Sequence, residues 1–229
     1  MEDTSKKSQV KRIFDSISYR YDFLNHFLSA GVDFYWRKKA IKYSGMSNES
    51  ILLDLACGTG DFAIAARKSG VKNIFGGDLS FNMLSIFKTK VNWIDGRITE
   101  TVAEHLPYRN ESFTNITVAF GVRNFYDIPS AFSEFNRVLK PKGKATVLEF
   151  RLPTNPIVKS FYLFYFKNIL PLIGRIISKD QEAYTYLPES VGEFDKNVDL
   201  VKIFSDCKFS HVEKHSLTFG LVQVVIAKK

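Results

Sequence analysis

The residues most able to do chemistry lie in a glycine-rich loop and in an aspartate that follows it. The sequence Asp54-Leu55-Ala56-Cys57-Gly58-Thr59-Gly60 ends an apolar run that is typical of a buried strand. Because glycine has no side chain, the backbone can approach a ligand closely at the end of that strand. Asp78 comes 20 residues after Gly58, where a carboxylate can accept hydrogen bonds from both hydroxyls of a ribose. The spacing therefore predicts a cofactor that contains a nucleoside.

Two kinds of cofactor fit this loop, and the charge of Asp54 distinguishes them. Residues 58–63 match the loose G-x-G-x-x-A pattern, so a nicotinamide or flavin dinucleotide is one alternative. The carboxylate of Asp54 would repel a pyrophosphate, whereas S-adenosylmethionine brings a sulfonium and a cationic amino acid end. Asp54 and Asp61 flank the glycines, and the next basic residue is Arg67. The loop thus favours S-adenosylmethionine over a dinucleotide. It also favours a role in binding a cofactor over a purely structural role.

Strands and helices alternate around this loop, which is typical of a parallel sheet with helices on both faces. We therefore predict an α/β fold with a doubly wound, seven-stranded, Rossmann-like sheet, mostly parallel and closed by a C-terminal antiparallel hairpin. The predicted strands are 51–56, 73–77, 97–102, 116–120, 144–150, 210–217 and 220–227. The predicted helices are 61–68, 80–90 and 130–139, with helical spacing also from Ile13 to Leu28 and from Phe34 to Tyr43.

Length and composition indicate one globular domain. The chain has 229 residues, of which 45% are hydrophobic and 24% charged, and this excludes a disordered or collagen-like protein. Its two cysteines, Cys57 and Cys207, cannot form a disulfide framework or by themselves a structural zinc site, and we expect no metal. We divide the domain (1–229) into N-terminal helices (1–45), a cofactor-binding core (46–151), a helical cap insertion (152–195) and a C-terminal helix with the hairpin (196–229).

The net charge of +8 suits an anionic partner, which could be a nucleic acid, a membrane surface or an acidic substrate. The first 12 residues lack the apolar core of a secretory signal. The longest stretch without a charged residue, 215–227, has 13 residues, whereas a membrane-spanning helix needs about 20. We therefore expect a cytoplasmic protein whose membrane contact, where it occurs, is peripheral and on the inner face.

The predicted cap is unusually apolar. Residues 161–166 and 169–173 are apolar on nearly every face of a helix. Four basic residues lie among them, Lys159, Lys167, Arg175 and Lys179. A tunnel for an isoprenoid tail that also rests on an anionic bilayer would use both properties. Packing into the core is the alternative, and the same surface could pair two copies of the chain as a homodimer.

Further blocks of sequence resemble one family of enzymes. The loop 54–60 and Asp78 resemble the first motif and the ribose-binding acid of the class I adenosylmethionine-dependent methyltransferases. Four other blocks resemble the ubiquinone/menaquinone biosynthesis C-methyltransferases: 21–29 with Trp36 (YDFLNHFLS and W), 120–124 (FGVRN), 137–143 running on to 148–150 (RVLKPKG and LEF), and 183–190 (AYTYLPES). Together they fall between about residue 10 and residue 225, which is nearly the whole chain.

The resemblance implies C-methylation of a reduced, polyprenylated quinone with S-adenosylmethionine as the methyl donor. The reaction would convert demethylmenaquinol to menaquinol, perform the equivalent step on a ubiquinone precursor, or do both. The residues expected to bind the cofactor are Asp54, Gly58, Thr59, Gly60, Asp78, Leu79, Val102, Ala103 and Ala119. Four positions depart from the family's usual residues: Asp33 (usually His), Val102 (usually Asn or Asp), Lys142 (usually Gly) and Arg151 (usually Ser).

Methyl transfer to a ring carbon needs a neighbouring phenolic oxygen that is deprotonated or polarised. Class I methyltransferases commonly keep substrate-facing residues after the fourth strand, where this chain has Arg123 and Asn124. Arginine stays protonated, so we expect Arg123 to stabilise the oxyanion or to orient a water, with Asn124 assisting. Pairing of Arg123 with a nearby carboxylate is the alternative. Tyr184 and Tyr186 of the cap are expected to touch the quinol, or otherwise to pack in the core.

Other functions stay open at this point. A methyltransferase that acts on another lipid or small molecule, such as a sterol, fits the same cofactor loop. An RNA methyltransferase is less favoured, because no Asn/Asp-Pro-Pro-aromatic motif follows the fourth strand, and we expect no nucleic acid partner. A binding module without activity is disfavoured by the intact Asp54, Gly58, Gly60 and Asp78.

Overall fold

A seven-stranded sheet forms the centre of the protein. The computed structural model describes residues 2–165, 168 and 182–229. The strands are β1 (Ile51–Leu55), β2 (Asn73–Asp78), β3 (Ile98–Glu100), β4 (Phe113–Ala119), β5 (Leu139–Phe150), β6 (His211–Leu217) and β7 (Val222–Lys228). Their order is β3-β2-β1-β4-β5-β7-β6. The pairs among β1 to β5 are parallel, while β7 runs antiparallel to β5 and β6. The predicted sheet and its C-terminal hairpin are confirmed.

Helices lie on both faces of this sheet. They are α1 (Glu2–Ile17), α2 (Tyr21–Leu28), α3 (Val32–Ser44), α4 (Asp61–Lys68), α5 (Phe81–Lys90), α6 (Ile128–Val138), α7 (Pro156–Phe164), α8 (Glu182–Asn197) and α9 (Leu200–Asp206). Helix α4 has the predicted bounds. The helical spacing from Ile13 to Leu28 does not form one helix, because a 3₁₀ turn at Ser18–Arg20 separates α1 from α2. Residues 166–167 and 169–181 of the predicted cap, with its apolar run 169–173, lie outside the described residues.

Two apolar clusters fill the layers between sheet and helices. Successive residues of β1 point to opposite faces, so that Leu52 belongs to the cluster with α3, α4 and α5. Its neighbour Leu53 belongs to the cluster with α6 and α9, where Phe132 and Phe204 stack with ring centroids 4.0 Å apart. The continuous apolar run that predicted β1 therefore reflects burial on both faces. Among the described residues, no helix is both long and apolar enough to cross a membrane.

Side-chain caps set the starts of the helices that position the site. Ser80 follows β2, and its hydroxyl accepts a hydrogen bond from the Met83 amide at the start of α5. Asp127 caps α6 in the same way through the Ser130 amide. These caps fix where each chain segment leaves the carboxyl edge of the sheet, which is the edge where ligands bind in this kind of fold.

Lys142 occupies a left-handed backbone conformation within β5, with φ of 66°, and is exposed. Glycine adopts this conformation without steric cost, so we expect Lys142→Gly to raise the free energy of unfolding by about 0.5–1 kcal/mol. Lys140→Gly is the matched control, because Lys140 lies in the same strand without positive φ. This substitution should lower the free energy of unfolding by about 0.5–1 kcal/mol. Chemical denaturation measures both variants. Equal losses in the two would contradict the steric explanation.

Candidate cofactor cleft and active site

Two adjoining cavities lie at the carboxyl edge of β1 and β4. The larger holds about 800 Å³ of empty space and the smaller about 340 Å³. Five residues line both of them: Tyr21, Ala56, Gly58, Ala119 and Phe120. The cavities therefore meet at the loop after β1, where an elongated ligand can extend from one into the other.

The larger cavity gathers most of the residues predicted to bind the cofactor. Its lining includes Gly58, Asp78, Leu79, Val102, Ala103 and Ala119 together with Asn124. At Val102 and Ala103 the wall is apolar, and the adjacent polar group is the buried carboxylate of Glu104. That carboxylate accepts hydrogen bonds from the amides of Tyr126 (3.0 Å) and Asp127 (3.3 Å). Glu104 thus holds the loop after β4 against this wall.

Asp54 and Thr59 line the smaller cavity. The Asp54 side chain is buried within the sheet, and its Oδ1 accepts a hydrogen bond of 2.7 Å from the Thr117 hydroxyl. Its Oδ2 is buried and has no hydrogen-bond partner among the described residues. Burial raises the pKa of Asp54 to about 7, and the Thr117 hydrogen bond opposes this shift. Arg37 also lines the smaller cavity, and its charge lowers the pKa of Asp54. The negative charge of Asp54 favours a cationic group in this cavity, which fits the ammonium end of S-adenosylmethionine.

Asp78 ties the glycine loop to the end of β2. Its Oδ2 accepts a hydrogen bond of 2.7 Å from the Gly58 amide, and its Oδ1 one of 2.8 Å from the Ser80 amide. Burial raises the pKa of Asp78, while these amide hydrogen bonds lower it. The 20-residue spacing predicted a carboxylate at the end of β2, and the structure brings that carboxylate to the glycine loop. It places a carboxylate in the wall of the larger cavity, where a ribose can bind.

Two residues with a strained backbone lie beside this loop. Ala56 (φ of 49°) and Phe120 (φ of 59°) are non-glycine residues in the left-handed region, and both line the two cavities. Gly121 follows Phe120, and a Cβ there would lie 2.5 Å from the Cβ of Ala56. The loops after β1 and β4 therefore approach each other as closely as their backbones allow.

Gly60 was predicted to bind the cofactor, but it lies in the lining of neither cavity. It precedes α4 with φ of 87°, and a Cβ at this position would lie 2.1 Å from the ring of Phe87. The structure thus requires glycine here because α4 packs closely against α5.

Arg123 forms a buried ion pair. Its Nη1 donates to Glu149 Oε1 at 2.8 Å and to the Phe120 carbonyl at 2.5 Å, and its side chain is only 6% exposed. Its Nε donates to the Ser190 hydroxyl of α8 at 3.3 Å. Burial raises the pKa of Glu149, and the charge of Arg123 opposes this. The carboxylate partner that the sequence analysis left open is therefore present, and Arg123 lines neither cavity.

Asn124, by contrast, lines the larger cavity and contacts the cap. Its Oδ1 accepts a hydrogen bond of 2.8 Å from the Tyr186 hydroxyl. Burial raises the pKa of Tyr186, so the hydroxyl stays protonated and can donate. Tyr184 lies in α8, but its side chain is outside the described part of the chain. Tyr186 is therefore a cap tyrosine that contacts a residue of the larger cavity's lining.

The N-terminal helices supply walls that the sequence analysis missed. Val10, Lys11 and Phe14 of α1 line the larger cavity, and Tyr21 lines both. Lys11 Nζ donates to the Leu79 carbonyl at 3.0 Å, and the Ser80 hydroxyl donates to Asp15. The helical spacing from Ile13 to Leu28 indicated an apolar helix face that packs against the rest of the protein. No local pattern could identify the loops around the cleft as the surface that it contacts.

Helix α2 is held to the glycine loop by a polar cluster. The Thr59 hydroxyl donates to Asp22, and Lys90 Nζ lies 2.8 Å from Asp22 and 2.7 Å from Asp61. His26, Asp33 and Asp61 lie close enough together to hold a metal ion. Their carboxylates are already paired with cations, Asp33 with Arg37 and Asp61 with Lys90. The cluster therefore satisfies its charges with the chain's own side chains.

The fold and the site together define a class I adenosylmethionine-dependent methyltransferase. One similar structure is that of a Thermotoga maritima protein described as an adenosylmethionine-dependent methyltransferase and possible histamine N-methyltransferase. It superposes on this chain with a TM-score of 0.67 at 17% sequence identity, and the match covers 95% of this chain and 99% of that one. Such a likeness shows the shared fold. The chain belongs to the ubiE/COQ5 methyltransferase family, whose model matches residues 2–229.

Two relatives match along nearly their whole length. The demethylmenaquinone methyltransferase of Chlorobaculum parvum is 41% identical over 99% of this chain and 95% of its own. The ubiquinone/menaquinone biosynthesis C-methyltransferase UbiE of Geotalea daltonii is 40% identical over 99% of this chain and 98% of its own. The family resemblance seen in the sequence blocks is thereby confirmed.

The raised pKa of Asp54 predicts how affinity for the cofactor depends on pH. Below about pH 7 the carboxylate is protonated in the free protein and loses its attraction for an ammonium group. Affinity for S-adenosylhomocysteine should therefore fall as pH decreases through 7, approaching about tenfold per pH unit. Calorimetric titration from mildly acidic to mildly basic pH measures this dependence. Asp54→Asn should bind S-adenosylhomocysteine weakly, with an affinity that does not change over this pH range. If the affinities of the variant and the wild type change with pH in the same way, the assignment of Asp54 to the ammonium group is wrong.

Proposed function

We propose that this protein methylates a ring carbon of a reduced, polyprenylated quinone, converting demethylmenaquinol to menaquinol or performing the equivalent step on a ubiquinone precursor. The observation that supports this most directly is the full-length match to relatives named for these reactions. The cofactor cleft supports the same proposal, because it combines a buried acid, a ribose-sized cavity and polar groups beside it.

S-adenosylmethionine, when bound, supplies an electrophilic methyl group on a sulfonium. In our proposal Asp54 pairs with its ammonium group and Asp78 accepts its ribose hydroxyls, with Gly58 and Thr59 of the loop beside them. Leu79, Val102, Ala103 and Ala119 enclose the nucleoside within the larger cavity. These residues fix the position of the methyl group, so that the remaining task of the protein is to orient and activate the ring carbon.

We assign the polarising role to Asn124. The Tyr186 hydroxyl occupies its Oδ1, so the amide is oriented with Nδ2 as the donor. A donor next to the phenolic oxygen of the quinol would stabilise negative charge there and increase electron density at the neighbouring carbon. Arg123 acts in this proposal as a positioning residue, because its guanidinium links Phe120, Glu149 and Ser190 around the turn that carries Asn124.

The substrate determines the proposed partner. A polyprenylated quinol is dissolved in a lipid bilayer, so we propose that the protein makes peripheral contact with the membrane surface. Pairing of two copies of the chain through the cap is the alternative that the sequence left open, and light scattering in solution distinguishes it from membrane contact.

A comparison of methyl acceptors tests the proposed function. Purified protein with labelled S-adenosylmethionine should label reduced demethylmenaquinol or the reduced ubiquinone precursor, and should not label a sterol or RNA. The quinol must be kept reduced, because only the hydroquinone has a ring carbon activated by a phenolic oxygen. Label in RNA or in a sterol alone would overturn the proposal, as would the absence of label from every quinol.

The contact between Tyr186 and Asn124 predicts a selective loss of turnover. Tyr186→Phe removes the hydroxyl that orients the amide, so kcat should fall about tenfold or more while the Kd for the cofactor stays near that of the wild type. Tyr43→Phe is the control, since Tyr43 stacks on His215 and lines neither cavity. Steady-state kinetics and calorimetry together separate the two effects. An unchanged kcat, or an equal loss of cofactor affinity, would remove Tyr186 from the proposed site.

A further inference from the structure

The turn between β6 and β7 holds an exposed phenylalanine on an unfavourable backbone. Thr218, Phe219 and Gly220 have φ values of 48°, 55° and 90° in succession. A left-handed conformation is rare for a bulky side chain, yet the Phe219 ring is 83% exposed. Folding gains little from an aromatic ring placed in this way, because so little of its surface is buried against the protein.

This turn lies at the edge of the sheet where the cofactor cleft opens. Val222 at the start of β7 is paired with Phe150 at the end of β5. Trp36 near the start of α3 donates from Nε1 to the Thr218 hydroxyl at 2.7 Å. On its other side the turn meets the segment that leads into α7, since a Cβ on Gly220 would lie 3.7 Å from the Cα of Pro153. The turn therefore sits between the start of α3 and the start of α7.

Exposed apolar side chains continue from the turn onto both neighbouring helices. Phe34 and Tyr35 are 59% and 47% exposed at the start of α3. On α7 the exposed residues are Ile157, Phe161 and Phe164, whose spacing places them on one face of the helix. We call these six residues the aromatic rim: Phe34, Tyr35, Ile157, Phe161, Phe164 and Phe219. An exposed apolar surface of this kind marks an interaction site.

The charges around the aromatic rim have a single sign. Its three elements, α3, the turn at 218–220 and α7, carry five basic residues: Arg37, Lys38, Lys39, Lys42 and Lys159. Their one carboxylate is Asp33, which is buried and paired with Arg37. Lys38 and Lys159 are exposed beside the rim, and Lys39 lies over the ring of Tyr35. Aromatic residues bordered by lysines, on three elements that carry no exposed acid, match an anionic lipid surface in both hydrophobicity and charge.

We propose that the aromatic rim docks on an anionic phospholipid bilayer, with Phe219 as an apolar anchor that enters the boundary between headgroups and acyl chains. Docking in this orientation turns the edge of the sheet that bears the cofactor cleft toward the membrane. The proposal rests on the proposed function, because a membrane-dissolved quinol is the substrate that needs this orientation. It assigns the contact to α3 and the β6–β7 turn as well as to the cap.

Phe219→Asn tests the anchor without threatening the fold, because asparagine tolerates the left-handed conformation. Its thermal midpoint should equal or exceed that of the wild type. Its affinity for phosphatidylcholine vesicles that contain phosphatidylglycerol should fall about tenfold, as expected for the loss of a buried phenylalanine. Phe81→Asn is the matched control: Phe81 is 63% exposed but follows β2, near the opposite end of the sheet from β6 and β7. This control should bind like the wild type, and binding of both should weaken in pure phosphatidylcholine or in high salt.

Activity measurements separate failure of the docking proposal from failure of the proposed function. Phe219→Asn should keep the wild-type kcat and KM for a tail-less demethylnaphthoquinol in solution, and should show a KM about tenfold higher for the long-tailed quinol in vesicles. Wild-type protein that methylates no quinol but binds vesicles through Phe219 would overturn the proposed function alone. Unchanged vesicle binding by Phe219→Asn, with normal turnover, would overturn the docking proposal alone. Light scattering could instead show a wild-type dimer that Phe219→Asn dissociates, while the wild type binds no vesicles. That result would overturn the docking proposal and identify a second copy of the chain as the partner of the aromatic rim.

Discussion

The buried carboxylate of Asp54 is the constraint on which the site depends. It lies in β1 with Gly76 of β2 on one side and Thr117 of β4 on the other, in the middle of the parallel sheet. One oxygen is bonded to Thr117, while the other is buried without a hydrogen-bond partner among the described residues. A half-satisfied acid in the sheet destabilises the folded protein. In our proposal a cation in the adjoining cavity offsets that cost, because it attracts the negative charge of Asp54.

The cleft is enclosed by elements that lie far apart in the chain. The loop after β1 and the loop after β4 form its floor, and Ala56 and Phe120 adopt strained conformations where they meet. Helix α1 forms one wall, held by the contact of Lys11 with the Leu79 carbonyl. The cap reaches the cleft through Tyr186 and Asn124. Each of these elements brings part of the lining from a different region of the chain, so the cleft forms only when the whole domain has folded.

The buried pair of Arg123 and Glu149 changes what can be assigned to the arginine. Both charges are removed from water, and the guanidinium also binds the Phe120 carbonyl and the Ser190 hydroxyl. Removing either partner would leave an uncompensated buried charge, which is strongly destabilising. The arginine therefore joins three segments of the chain around the turn at residues 122–124, and the adjacent Asn124 is the residue of this turn that lines the larger cavity.

The sequence alone determined the sheet, the helices of the core, the glycine loop after β1 and the position of Asp78 at the end of β2. These features follow from local periodicity and from fixed spacing along one strand–loop–helix unit, so a short window contains the information. The tertiary structure decided the partner of Arg123, the contact of Tyr186 with Asn124, the wall formed by α1 and the exposure of Phe219. Each of these depends on segments brought together by folding, and a residue's type does not specify which distant group it will meet. The same reason applies to Gly60, because the Phe87 ring of another helix leaves no room for a Cβ at this position.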